Sequence, residues 1–238
     1  MPRRTHIHWV QHVPFEGLGT IGEWVEARGH VATSTFALTE AFPPPERLDW
    51  LIVMGGPMGA GDELRHPWLR AEKRFIRSAI DSGVRILGVC LGAQLVAEAL
   101  GGEVHANKEP EIGWYPVTLT PTGGASRVFG VLPASFLAGH WHSDTFDLPV
   151  DTSPAALSEA CPNQAFEFEE RVWGLQFHLE WDRHALRTLI ERCGGEIVSG
   201  RHVQSVEGML GDSARFAESR RLMPLLLDAM QEAQPSRT

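Results

Sequence analysis

Two short stretches hold the residue types that bond-breaking chemistry requires. In Gly88-Val89-Cys90-Leu91-Gly92, a thiol sits where the apolar run 84–89 passes into a helix-forming segment, 93–100. That order of strand, sharp turn and helix is the layout of a nucleophile elbow. The flanking glycines remove Cβ clashes that would forbid so tight a bend. A thiol at the start of a helix also meets a dipole and free N–H groups that favour the thiolate. The alternative is a small buried core cysteine, a common fate of a free thiol. The second stretch, Val172-Trp173-Gly174-Leu175-Gln176-Phe177, delivers His178-Leu179-Glu180 at its end. In an extended chain His178 and Glu180 share a face. In a short loop the carboxylate would reach round to the imidazole instead.

Two further groupings could bind. Gly55-Gly56-Pro57-Met58-Gly59-Ala60-Gly61 follows the apolar run 49–54, and bare N–H groups in such a loop can face a negative oxygen. A phosphate loop is the rival reading, but its Lys-Ser/Thr ending is absent. Within Phe136-Leu137-Ala138-Gly139-His140-Trp141-His142-Ser143-Asp144, His140 and His142 would share a strand face, as would His6 and His8 near the start. A His-x-His pair suggests a metal, yet no third ligand stands at motif spacing, so no metal is expected.

Strands alternating with helices must position these groups. Strands are expected over 5–10, 30–36, 49–54 and 84–89, with helices over 19–28, 66–82 and 93–100, which implies right-handed crossovers and a parallel sheet. In the 66–82 helix Leu69, Phe75, Ile76, Ala79 and Ile80 form the apolar stripe, and Arg70, Glu72, Lys73, Arg74 and Arg77 are read as solvated. Beyond residue 102 the rhythm changes. A strand at 114–120, a short helix at 126–131 and strands at 165–168 and 172–177 suggest a small antiparallel section. A helix is expected over 183–192, and another over 214–231 with a break near Pro224. The last residues, 234–238, read as a polar tail.

The chain has 238 residues, 43% of them hydrophobic and 21% charged, enough for one sizeable core. We expect one domain over 1–195 and a helical extension over 196–238 packed upon it. Net charge of −9 disfavours nucleic acid as a partner. No segment reads as a membrane span or signal peptide, and Cys90, Cys161 and Cys193 are odd in number and widely spread, so a cytoplasmic location is expected.

Taken together, the motifs resemble those of class I, or triad, glutamine amidotransferases. Gly55–Gly59 is similar to that family's oxyanion loop, residues 88–94 to its nucleophile motif, and residues 174–180 to its His-Glu motif, in the family's order. The nearest resemblance within the family is to the glutaminase half of GMP synthases and to stand-alone proteins like it. The resemblance implies an open α/β sheet flanked by helices, mostly parallel and flavodoxin-like, and no cofactor. It implies a triad in which Cys90 attacks the glutamine side-chain carbonyl, His178 moves the proton and Glu180 orients His178. The N–H groups of Gly56 and Leu91 would form the oxyanion hole. Gly55, Gln94 and the segment His142-Ser143-Asp144 would hold the substrate, although Ser143 replaces the glycine of the family's His-Gly-Asp loop. No nucleotide-activating domain or ATP loop is recognisable, so either a separate ammonia-accepting synthetase subunit or a free-standing hydrolase is implied. γ-Glutamyl peptidases share the fold and triad and are the alternative reading. A non-catalytic regulatory module is a third, but it would have lost Cys, His or Glu. The helix over 214–231 leaves room for a subunit contact and a homo-oligomer.

Overall fold

The computed structural model describes residues 4–233. The polar tail at 234–238 lies outside the described residues. The first half alternates as expected: β1 (His6–Gln11), α1 (Thr20–Ala27), β2 (Val31–Phe36), β3 (Trp50–Val53), α2 (Leu69–Asp81), β4 (Arg85–Val89) and α3 (Leu91–Ala99). The second half is β5 (Val104–Leu119), α4 (Pro121–Ala125), β6 (Ser135–Phe146), β7 (Ser153–Leu157), β8 (Ala165–Phe168) and β9 (Val172–Leu175). Three helices close the chain: α5 (Arg183–Cys193), α6 (Val206–Leu210) and α7 (Ser213–Glu232).

All nine strands form one sheet in the order β2-β1-β3-β4-β9-β8-β7-β5-β6. Pairings from β2 to β9 are parallel, and those from β9 to β6 are antiparallel. The late strand β9 therefore lies in the middle, and both chemically interesting strand ends, those of β4 and β9, are neighbours.

Alternation along the central strands explains the layers. Trp50 and Ile52 of β3 and Leu87 and Val89 of β4 enter one core with Ile21, Trp24 and Val25 of α1 and with Leu222, Met223, Leu226, Leu227 and Met230 of α7. Leu51, Val53 and Ile86 point the other way, into a core with Phe75 and Ile76 of α2 and Leu95 and Val96 of α3. A strand buried on both faces has to be apolar throughout, which is the run the sequence shows. Each of the fully buried α7 side chains contributes about 1.5–3 kcal/mol of apolar burial. Asp228 adds a polar tie, accepting from Trp24 Nε1 at 2.8 Å and Arg28 Nε at 2.9 Å. That anchorage explains why α7 runs unbroken through Pro224. The proline costs a helix about 3 kcal/mol, less than its buried flank returns.

Elsewhere the boundaries move for local reasons. β5 begins at Val104, ahead of the expected strand, because its first half is polar and partly exposed and shows little apolar alternation. The helix expected over 126–131 is instead α4, whose N-cap Thr120 accepts from Gly123 N at 2.9 Å, followed by a short 3-10 turn, Phe129–Val131. β7 holds Pro154, a residue that argues against a strand on sequence alone. Among the described residues no helix is long and apolar enough to cross a membrane.

Candidate active site

Cys90 occupies the bend between β4 and α3 at φ 52° and ψ −111°, a left-handed conformation rare for a residue with a Cβ. Such strain persists where surrounding structure enforces it, often at functional sites. Here the Cys90 N–H donates to Leu175 O at 2.7 Å, and the Cys90 carbonyl accepts from Gln94 N at 3.1 Å. The two glycines act through closeness rather than φ. A Cβ on Gly88 would lie 2.5 Å from Gly92 O, and one on Gly92 would collide with the Val53 carbonyl. The bend therefore presses the start of α3 against the end of β3.

The end of β9 brings His178 to this thiol. His178 pairs with Gly139 of β6, N to O at 2.7 Å and O to N at 3.0 Å. Its Nδ1 meets Glu180 Oε1 at 2.6 Å, which leaves Nε2 for the sulfur and for a reacting nitrogen. A short loop thus lets the carboxylate reach round to the ring, the second of the two geometries the spacing allows. The ring stacks on Trp181 at 4.0 Å and 16°, and only a glycine at 139 leaves room for that indole. Burial works against the imidazolium, but Glu180 and the hydrogen-bonded Cys90 outweigh it and hold His178 up at about 10. The sulfur also lies 3.6 Å from Trp141 O and 3.7 Å from Gln176 Nε2.

The loop after β3 supplies the third part. His12 Nδ1 donates to Gly55 O at 2.9 Å, while His12 Nε2 meets Glu72 Oε1 at 2.8 Å, both side chains being wholly buried. Burial alone would lower the His12 imidazolium, but Glu72 more than compensates and raises it. In a trans peptide the C=O and the next N–H point in opposite directions. Fixing the Gly55 carbonyl towards His12 therefore turns the Gly56 N–H away, towards the cavity that Gly56, Cys90 and Leu91 line. Neither Gly56 N–H nor Leu91 N–H has a hydrogen-bond acceptor among the described residues. Two free donors beside a thiol and an imidazole can stabilise a tetrahedral oxyanion.

The cavity has a volume of about 190 Å³. Gln94, His142, Ser143 and Asp144 line it, as does the Gly56–Gly59 turn. Gln94 is held by Gln176, Nε2 to Oε1 at 3.1 Å. Gly55 lies behind the wall: a Cβ there would be 3.6 Å from both Cys90 Cβ and His178 Cε1. The His142 ring is turned inward, its Nδ1 donating to Asp144 O at 2.9 Å and its Nε2 3.1 Å from Glu111 Oε2. Glu111, from β5, also accepts from Ser158 Oγ at 2.7 Å and Gln164 Nε2 at 2.6 Å. His140 joins this buried cluster, so the His-x-His pair gains a third group close enough to share a cation. The donors from Ser158 and Gln164 already occupy both Glu111 oxygens, so the carboxylate is satisfied as a hydrogen-bond acceptor. Burial lowers His140 to about 3. His6 and His8 serve elsewhere, binding the Thr33 and Thr35 hydroxyls of β2.

Several of these residues carry no motif in the sequence. The charge of Glu72 sets it among the solvated residues of its helix, yet it is wholly buried. Its position between Leu69 and Ile76 and Ala79, at three- and four-residue steps on the apolar stripe, carried the signal. Trp141, Gln176 and Trp181 flank motif residues and could have been suspected on that ground alone. Glu16, in the loop after β1, had no spacing to mark it, but it lines the cavity beside Leu189, Cys193 and Glu196. Burial raises its carboxyl to about 7 even though His178 and His12 oppose the rise.

A family model described as "Glutamine amidotransferase class-I" matches residues 26–192. A glutamine amidotransferase-like protein of Salmonella typhimurium is 35% identical over 211 residues, spanning 85% of this chain and 88% of that protein. The glutamine-hydrolysing GMP synthase of Aliivibrio fischeri is 36% identical over 134 residues, which is 56% of this chain but 24% of the synthase. Among solved structures, the glutamine amidotransferase from Methylobacillus flagellatus superposes with a TM-score of 0.89 at 26% identity, covering 99% of this chain and 98% of that one.

Proposed function

The chain belongs to the glutamine amidotransferase class-I family, and from that premise we propose that it hydrolyses the side-chain amide of glutamine through a Cys90, His178 and Glu180 triad. The observation that carries this reading is the contact of His178 with Glu180 on one side and Cys90 on the other, at the strained bend. Cys90 attacks the amide carbonyl, and the Gly56 and Leu91 N–H groups receive the developing oxyanion. His178 gives its proton to the departing ammonia, leaving a γ-glutamyl thioester. Water, deprotonated by His178, then releases glutamate and restores the thiol. Gln94 and the Ser143-Asp144 edge hold the amino-acid end of the substrate, with His142 bracing that edge from behind through Glu111.

No cofactor enters these steps. The GMP synthases that match are about four times as long as the aligned segment, and a synthetase that accepts the ammonia is part of this proposal. A second reading, hydrolysis of larger γ-glutamyl conjugates, is favoured by one observation: Leu189, Cys193 and Glu196 also line the cavity, more surface than ammonia requires. Ammonia and glutamate release from purified protein tests both readings, with glutamine in one series and γ-glutamyl peptides in another and Cys90→Ala as the blank. Release that survives in Cys90→Ala removes the thiol from the mechanism.

A further inference from the structure

The residues that line the cavity fall into two groups of different chemistry. In one, a Cβ on Gly59 would meet the Asp62 and Asp144 carboxylates, with Ser143 next to Asp144 in the chain. The other group is drawn from three separate segments. Glu16 comes from the loop after β1, Leu189 and Cys193 from α5, and Glu196 from the turn that follows. Glu16 and Glu196 act on each other and on Cys193 electrostatically, whereas Asp144 feels His142, Asp62 and His105.

Glu16 stands close to the reacting atoms. Its Oε2 is 2.7 Å from the point that a Cβ on Gly55 would occupy, and that point is 3.6 Å from both Cys90 Cβ and His178 Cε1. No hydrogen bond or salt bridge reaches its carboxylate among the described residues. Glu196 is held in place, its Oε2 accepting from Trp141 Nε1 at 2.8 Å. Among the described residues no lysine or arginine lines the cavity, and Leu189 adds apolar surface to it.

A leaving amine must sit within reach of the His178 proton, and so on the side where Glu16 stands. We propose that this side is the leaving-group subsite and that it selects γ-glutamyl amides whose departing amine carries a second, cationic ammonium, the conjugates of diamines and polyamines. The inference rests on the hydrolase reading of the same site. The bond changes are those of any γ-glutamyl amide. The Cys90 sulfur bonds the δ-carbon as the C–N bond breaks, and the His178 proton passes to the leaving nitrogen. The diamine departs, and water cleaves the thioester to glutamate and thiol. The subsite acts on the far end of the leaving group. A distal ammonium meets Glu196 and Glu16 there and favours the ionised form of Glu16, whose carboxyl burial otherwise raises to about 7. A distal carboxylate, as in a γ-glutamyl amino acid, meets like charge.

The test compares kcat/KM for γ-glutamylputrescine, for γ-glutamyl-n-pentylamide, which replaces the distal ammonium by a methyl group, for γ-glutamyl-4-aminobutyrate, and for glutamine. The putrescine conjugate is expected to exceed the pentylamide by about tenfold or more, the equivalent of about 1.4 kcal/mol, and the aminobutyrate conjugate to be the poorest of the three. In Glu16→Gln, and separately in Glu196→Gln, the putrescine-to-pentylamide ratio should fall towards one. Because the ratio is taken within one protein, any effect of the substitution on His178 cancels. A pentylamide or aminobutyrate conjugate cleaved as fast as the putrescine conjugate overturns the inference. If glutamine is hydrolysed without any such preference, the subsite reading alone fails. If none of the four is cleaved, the hydrolase reading fails with it.

Discussion

Replacing Glu180 by Gln isolates what the carboxylate does for His178. The amide keeps an oxygen opposite Nδ1, where the contact is 2.6 Å, but removes the charge. The rise of His178 from an ordinary 6.5 to about 10 corresponds to roughly 5 kcal/mol in favour of the imidazolium, at about 1.4 kcal/mol per pH unit. Cys90 shares in that rise and burial opposes it, so the carboxylate does not account for the whole. We expect kcat for glutamine to fall by about ten-thousandfold, in line with other triads that lose their acid, with KM much less affected. A ¹⁵N-histidine NMR titration should show the His178 imidazolium surviving to about pH 10 in the wild type and losing its proton at much lower pH in the variant. Stability follows the same sign. A histidine with a raised folded-state pKa adds stability that is full below its unfolded value of 6.5 and lost as pH climbs towards about 10. The wild-type advantage in urea unfolding should therefore shrink across that interval. A variant with kcat within about threefold of wild type, or one whose His178 stays charged above about pH 9, refutes the reasoning.

Two other substitutions probe the scaffold. Gly92→Ala drives a Cβ into the Val53 carbonyl, so α3 must draw back; we expect a loss of about 1–3 kcal/mol by calorimetry and a drop in kcat of about tenfold or more as the Leu91 N–H shifts from its place opposite Gly56. His12→Ala leaves Glu72 buried without its partner, at a cost of about 3–5 kcal/mol. The double variant His12→Leu/Glu72→Leu should recover much of that stability without recovering kcat, because the Gly55 carbonyl still lacks its donor. Full return of kcat would deny His12 a positioning role.

The parts of the site that were legible in the sequence are those made by neighbours in the chain. The bend at Cys90 needs its glycines within two residues, and His178 finds Glu180 two residues on, so spacing alone reveals them. Glu111 meets His142 across a ladder between two strands, and the bulge between Ala106 and Glu111 sets that register. No pattern along either strand announces it. His12 and Glu72 meet only because α2 packs under the first strand's end, and an acid on an apolar stripe reads as solvated until the facing histidine is known. The unbroken α7 shows the reverse case: a local rule at Pro224 yields to burial supplied by α1, nearly two hundred residues away.

The place of β9 in the sheet sets when the proposed site can assemble. During synthesis β4 emerges long before the strand that will pair with it, and the Ile86, Leu87, Gly88 and Val89 edge waits for Val172, Trp173, Gly174 and Leu175. Until then the Cys90 N–H lacks the Leu175 carbonyl that helps hold its bend, and His178 has not been made. α7, which seals one face of the sheet, arrives later still. From the synthesis of Cys90 until β9 arrives the nascent chain carries a thiol without its proposed partner, and the pairing that closes the middle of the sheet also assembles the proposed site. Long-range pairing of this kind slows folding, so the bend at Cys90, the His178 ring and the closed sheet reach their places together and late.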